Sequence, residues 1–107
     1  MLKLQFKNNA HPEVAVNEMR LTIGRDKANQ VALEQAGISG FHAEIHNEDG
    51  KLLLVDLGST NGTLVNGTRI QGRREIKLWD TIQIDTVEFE IVDCVFHAIV
   101  TGDFAKA

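Results

Sequence analysis

The sequence predicts an all-β fold, a sandwich of about eleven short strands that pair mostly antiparallel. Three observations carry this. Short runs alternate apolar and polar residues, beginning with Leu2, Leu4 and Phe6 against Lys3, Gln5 and Lys7. Two-residue turn signals, Asp49-Gly50 and Asn66-Gly67, stand between such runs. No long stretch carries a helical period, and the chain has one proline.

Taken in order, the first strand ends where Asn8-Asn9 through His11-Pro12 breaks the alternation. Val14 to Val16 reads as a short strand and Asn17-Glu18 as a turn. Met19 to Ile23 alternates again and runs into Gly24-Arg25. Gln30 to Leu33 is another short run, and Glu34 to Gly40 reads as loop, although Ala32 to Ala36 also fits one helical turn. Phe41 to His46 alternates, which puts Phe41, Ala43 and Ile45 inward and His42, Glu44 and His46 outward. Asp49-Gly50 closes a hairpin into Lys51 to Val55, and Asn66-Gly67 a second one between Thr63-Leu64-Val65 and Thr68-Arg69-Ile70. Gln71 to Arg74 then reads as a polar loop, followed by strands at Ile76 to Leu78, Thr81 to Ile84 and Val87 to Ile91. Residues 1–93 form the sandwich on this reading. Residues 94–107 are a tail: Val95, Phe96, Ile99 and Val100 lie at helical spacing, so a short capping helix is favoured, with an extra strand or the start of a linker still open.

The chain has 107 residues, enough for one domain with a core but small for a core plus an elaborate catalytic cleft. Its net charge of −4 argues against broad phosphate neutralisation, so no nucleic-acid partner is expected and any anion site must be local. The N-terminal segment alternates instead of forming an apolar block, and no run reaches membrane-spanning length, so the expected setting is cytoplasmic with no membrane partner. The single cysteine, Cys94, permits no internal disulfide and reads as a small apolar residue.

The most specified stretch is Asp56-Leu57-Gly58-Ser59-Thr60-Asn61-Gly62, in which glycines and hydroxyl residues can shape a loop that points polar groups outward. This stretch resembles the signature of forkhead-associated domains, and two more pieces stand upstream in that family's order: Gly24-Arg25, and Ser39 and His42 within Ile38 to Ile45. The similarity covers roughly residues 2 to 92. Leu78-Trp79-Asp80 resembles the segment where the family usually has Gly-Asp, with Trp79 in place of the glycine.

The resemblance implies a module that binds a threonine-phosphorylated protein or peptide through loop tips at one end of the sandwich, without a cofactor, metal or catalytic residue. In antiparallel sheets successive connections alternate between ends, and the parity of the chain permits the loops to meet. A phosphate carries about −1.5 to −2 charge at pH 7 and three acceptor oxygens, so it needs donors at several angles. Arg25 supplies a planar fork, Ser39 a hydroxyl, Thr60 a hydroxyl and an N–H. The resemblance gives Asn61 the ligand backbone to hold and His42 the Ser39 loop to brace. Gly24, Gly58 and Gly62 support the loops. Gly40 stands where the family commonly has a basic or polar residue, which removes one contact; Lys27, Arg73 and Arg74 are candidates to compensate, since the Gln71 to Arg74 loop can reach the same end.

Other readings of the same residues have less behind them. Ser39 with His42 as base lacks an orienting carboxylate and a nucleophile elbow. His42, Glu44 and His46 as metal ligands lack a fourth donor, and a solvated strand face accounts for them. The main alternative is a structural or oligomerisation module that binds an unphosphorylated partner or itself, with Val95 to Val100 as its apolar patch. A phosphorylated Thr101 serving as ligand for another copy is a weaker variant of that.

Overall fold

In a computed structural model, the chain is described over residues 2–93. The expected C-terminal helix, Cys94, the Val95 to Val100 patch and Thr101 lie outside the described residues. Among the described residues, eleven strands form two sheets. They are β1 (Leu2–Phe6), β2 (Val14–Ala15), β3 (Arg20–Gly24), β4 (Val31–Ala32), β5 (Ala43–Glu48), β6 (Lys51–Asp56), β7 (Thr63–Val65), β8 (Thr68–Arg69), β9 (Arg73–Ile76), β10 (Thr81–Ile84) and β11 (Val87–Asp93). One sheet has the order β2-β1-β11-β10-β7-β8 and the other β4-β3-β5-β6-β9. The all-β sandwich of short, mostly antiparallel strands predicted from the alternation is therefore present.

The alternating positions supply the core. Leu4, Ile82, Ile84, Phe89 and Ile91 from one sheet meet Ile23, Ile45 and Leu54 from the other, all fully buried. Truncating any one of these to alanine removes apolar contacts and leaves a cavity, at about 2–5 kcal/mol each. Phe6 and Phe89, paired across β1 and β11, stack with ring centroids 5.0 Å apart at a tilt of 42°.

One pairing positions the site. β4 runs parallel to β3, with Ile23 opposite Val31 and Gly24 opposite Ala32, whereas the other strand pairs are antiparallel. In a strictly antiparallel order the β3–β4 and β4–β5 loops would fall at opposite ends. The parallel step sends both to one end, hereafter the near end, where the β6–β7 loop and the β10–β11 turn also lie.

Both predicted hairpins form. Asp49 and Gly50 take φ of 55° and 86°, and Asn66 and Gly67 take 50° and 85°, the left-handed pairs that match strand twist. Four details differ from the sequence reading. The strand begins at Ala43, so residues 41 and 42 escape its alternation: Phe41 is 52% exposed and His42 is fully buried. Arg73 and Arg74 lie in strand β9, not in a loop, because an edge strand tolerates charged residues that an alternation search rejects. Residues 77–80 form a turn after β9, so the expected strand Ile76 to Leu78 keeps only Ile76. Met19 precedes β3 and is exposed. Within that turn Trp79 adopts φ +72°. Glycine takes this conformation without penalty, which explains why the resembled family prefers it there.

Among the described residues, no helix is long and apolar enough to cross a membrane.

Candidate functional site

Three near-end loops are locked together before any ligand is considered. The Arg25 backbone N–H donates to the Ser39 carbonyl (3.0 Å) and the Asp26 N–H to the Gly40 carbonyl (3.0 Å), which ties the β3–β4 loop to the β4–β5 loop. Asn29, buried beneath them, donates through Nδ2 to the carbonyls of Asp26 and Gly40, both at 2.7 Å. Gly24 must be glycine for this approach: a Cβ there would run into the Gly40 carbonyl oxygen and meet Asn29 Nδ2 at 2.9 Å.

The third loop joins through Ser39 and His42. The Thr60 N–H donates to Ser39 Oγ (3.2 Å), and Asn61 Nδ2 donates to the Gly37 carbonyl (2.8 Å). His42 bridges from inside, since the Ser39 N–H donates to its Nδ1 (3.1 Å) and its Nε2–H to the Gly62 carbonyl (2.9 Å). Because Nδ1 accepts, the proton must sit on Nε2, a tautomer fixed by the two partners. Ser39 Oγ is bonded to Thr60, not to His42, so the pair lacks the geometry of a nucleophile and its base. His42 is enclosed, while His46 Nε2 pairs with Glu44 (2.8 Å), so these three side chains do not converge on a metal.

The β6–β7 loop takes its shape from Asp56, the last residue of β6. Its carboxylate accepts four hydrogen bonds: from Ser59 Oγ (2.6 Å), Thr63 Oγ1 (2.7 Å), and the N–H groups of Gly58 and Ser59 (both 3.1 Å). Burial alone would raise its pKa, but the hydroxyl donors of Ser59 and Thr63 and the Ser59 N–H outweigh that and hold it below the ordinary 3.8. Ser59 Oγ in turn accepts the Gly62 N–H (3.0 Å). Gly62, at φ +87°, lies against Arg69, whose Nε would sit 2.5 Å from an added Cβ. Gly58, at φ +74°, has open space around it.

The result is a shallow cavity of about 160 Å³ in which Arg25, Ser39, Thr60 and Asn61 meet, with Gly37 and Ile38 as its floor. The four residues singled out from the sequence are thus brought together from three loops. Lys27 stands exposed in the β3–β4 loop and does not line the cavity. Arg73 lies closer than Arg74 to the near end, because the Gly72 carbonyl before it accepts the Asp56 N–H (2.7 Å); neither lines the cavity. Gly40 contributes its carbonyl, and an added Cβ there would meet nothing within 4 Å. The Thr60 N–H, expected to face a ligand, is used by Ser39, leaving the Thr60 hydroxyl as its outward donor. Asp56, Asn29 and Ser59 went unrecognised because each acts on backbone that only the fold brings near. The Asp56-x-x-Ser59 spacing, a side chain bonding backbone two and three residues on, was the one available signal.

Residues 21–85 match the FHA domain profile. The chain belongs to the FHA domain family. Its FHA fold superimposes on the FHA domain of CT664 from Chlamydia trachomatis with a TM-score of 0.80 and 27% identity, covering 86% of this chain and 96% of that one. It superimposes equally, at TM-score 0.80 and 26% identity, on Mycobacterium tuberculosis EmbR in complex with a low-affinity phosphopeptide, covering 85% of this chain and 24% of EmbR. In sequence it is 35% identical over 66 residues to the oxoglutarate dehydrogenase inhibitor of Corynebacterium diphtheriae. That match takes in 62% of this chain and 46% of the relative, so the chain spans less than half of that protein. The FHA domain is a protein-interaction module, and relatives of this one bind phosphopeptides.

Proposed function

We propose that this FHA domain binds a threonine-phosphorylated segment of a partner protein at the near-end cavity. The observation that carries the reading is the Thr60 N–H bonded to Ser39 Oγ beside Arg25. A serine oxygen that already accepts from Thr60 has its own O–H left to donate outward, so Ser39 and the Arg25 guanidinium present donors to the same space. Among the described residues Arg25 and Lys27 have no ion pair within the chain, which leaves their charge for an anion. Asn61, held by Gly37, keeps its amide oxygen for a peptide N–H next to the phosphoresidue. The role is recruitment rather than catalysis, and a cytoplasmic setting suits it.

Threonine is preferred over serine if its methyl group is enclosed, a difference worth roughly 1–3 kcal/mol. The test is a titration with a phosphothreonine peptide and its unphosphorylated twin. The phosphorylated form binds selectively, and Arg25→Ala, which removes charge-assisted bonds worth about 1.5–3 kcal/mol, lowers affinity tenfold or more. Ser39→Ala lowers it less. Equal binding of both peptides would instead favour a module for unphosphorylated partners.

A further inference from the structure

The near end carries an acidic group that the phosphate chemistry does not use. Asp85, in the β10–β11 turn, holds its carboxylate directly over Gly37: a Cβ on that glycine would lie 2.5 Å from Oδ1 and 2.9 Å from Oδ2. Gly37 is the same residue whose carbonyl anchors Asn61 and which floors the cavity. The turn is fixed, with Asp85 at φ +55°, Gln83 Nε2 donating to the Asp85 carbonyl (3.0 Å), and Thr86 Oγ1 donating to Gln35 Oε1 (2.9 Å) across to the β4–β5 loop. The carboxylate itself has no hydrogen-bond or ion-pair partner among the described residues.

The cavity is lined by an unpaired guanidinium, and against Gly37 in its lining stands an unpaired carboxylate that does not itself line it, an arrangement that favours a ligand carrying both signs of charge in the complementary order. We infer that Asp85 is a specificity-determining residue that selects a lysine or arginine in the bound segment within a few residues of the phosphothreonine. This rests on the phosphothreonine reading above. An extended peptide advances about 3.3 Å per residue, so a long basic side chain on a neighbouring position spans from the phosphate to the turn. Half-buried and backed by Gly37, the carboxylate is less screened than one on an open surface.

Fluorescence titration of the protein with three otherwise identical phosphothreonine peptides, carrying lysines, alanines or glutamates on the positions flanking the phosphoresidue, reads this directly. The lysine peptide binds about two- to fivefold more tightly than the alanine peptide, the range for a solvent-accessible ion pair. Asp85→Asn abolishes that ratio while leaving the alanine-peptide affinity unchanged; asparagine keeps the left-handed turn, so the fold is preserved. Asp85→Lys shifts the preference to the glutamate peptide. A lysine preference that survives Asp85→Asn, or phosphopeptides that bind without any preference, overturns the inference and leaves the phosphothreonine reading standing. Failure of all three phosphopeptides to bind overturns both.

Discussion

The two ends of the sandwich are each held by side chains bonding to backbone, yet they are built differently. At the near end, Asp56 reaches Ser59 and Thr63, and His42 joins Ser39 to Gly62, with His42, Ser59 and Thr63 all buried. At the far end, Asn66 Nδ2 donates to Asp80 (3.0 Å), Asn66 Oδ1 accepts the Thr81 N–H (2.9 Å), and Asp80 accepts the Lys77 N–H (2.8 Å), all exposed to solvent. The far end needs only to turn the chain, and water can replace any bond it loses. The near end must hold donors at fixed angles, and a buried hydroxyl that loses its acceptor has no substitute. Loop shape at the near end is therefore a property of the interior.

The strongest way to break this contrast is Asp56→Ala. It strands the buried Ser59 and Thr63 hydroxyls and should lower stability by about 3 kcal/mol, a drop in Tm of roughly 15 °C or more for a domain of this size. Phosphopeptide affinity should fall with it, because the loop carrying Thr60 loses its frame; unchanged affinity would separate loop shape from binding. Acid titration sharpens the point. The Asp56 carboxyl is held below its ordinary 3.8, so its stabilising contribution is complete above that value and is lost as pH falls through the lower folded-state value. In denaturant melts the gap between the natural protein and Asp56→Asn should narrow over that acid window and stay constant near neutrality.

Adding to the near end should help where space is open. A Cβ added at Gly40 meets no atom within 4 Å and the position adjoins Ser39, so Gly40→Arg should raise phosphopeptide affinity about tenfold, with a steeper salt dependence and an unchanged Tm. A loss of affinity would mean that the arginine turns away from the ligand. The smallest effect is expected at the other end. Asn66→Ala must keep φ near +50° without its two exposed bonds, costing about 1–2 kcal/mol in a thermal melt, and peptide affinity should not change.

Much of the fold was legible in the sequence because it depends on local pattern. The β1, β10 and β11 alternations and both left-handed hairpins required only neighbouring residues. What was not legible depends on distant ones. Arg73 and Arg74 read as loop because nothing local distinguishes an edge strand of charged residues from a turn. His42 was assigned to a solvent face by extending an alternation two residues past the start of β5, whereas its two hydrogen bonds draw it inside. The four residues at the cavity were found through resemblance to a family motif. Asn29 and Asp85, which shape or flank that cavity, act across gaps that no spacing rule reports, whereas Asp56 left only the Asp56-x-x-Ser59 spacing as a signal. The run Gln30 to Leu33 was legible and holds strand β4, but its parallel pairing with β3 was not, although that pairing decides that the β3–β4 and β4–β5 loops share an end.

The pairing of Leu2 with Asp93 has a practical consequence. Both positions lie on adjacent strands at the end away from the cavity, so a tether attached at either one points away from the tips. An immobilised domain held through that end keeps its loops facing solution, and a fusion placed there lengthens the molecule without obstructing approach to Arg25 or Ser39.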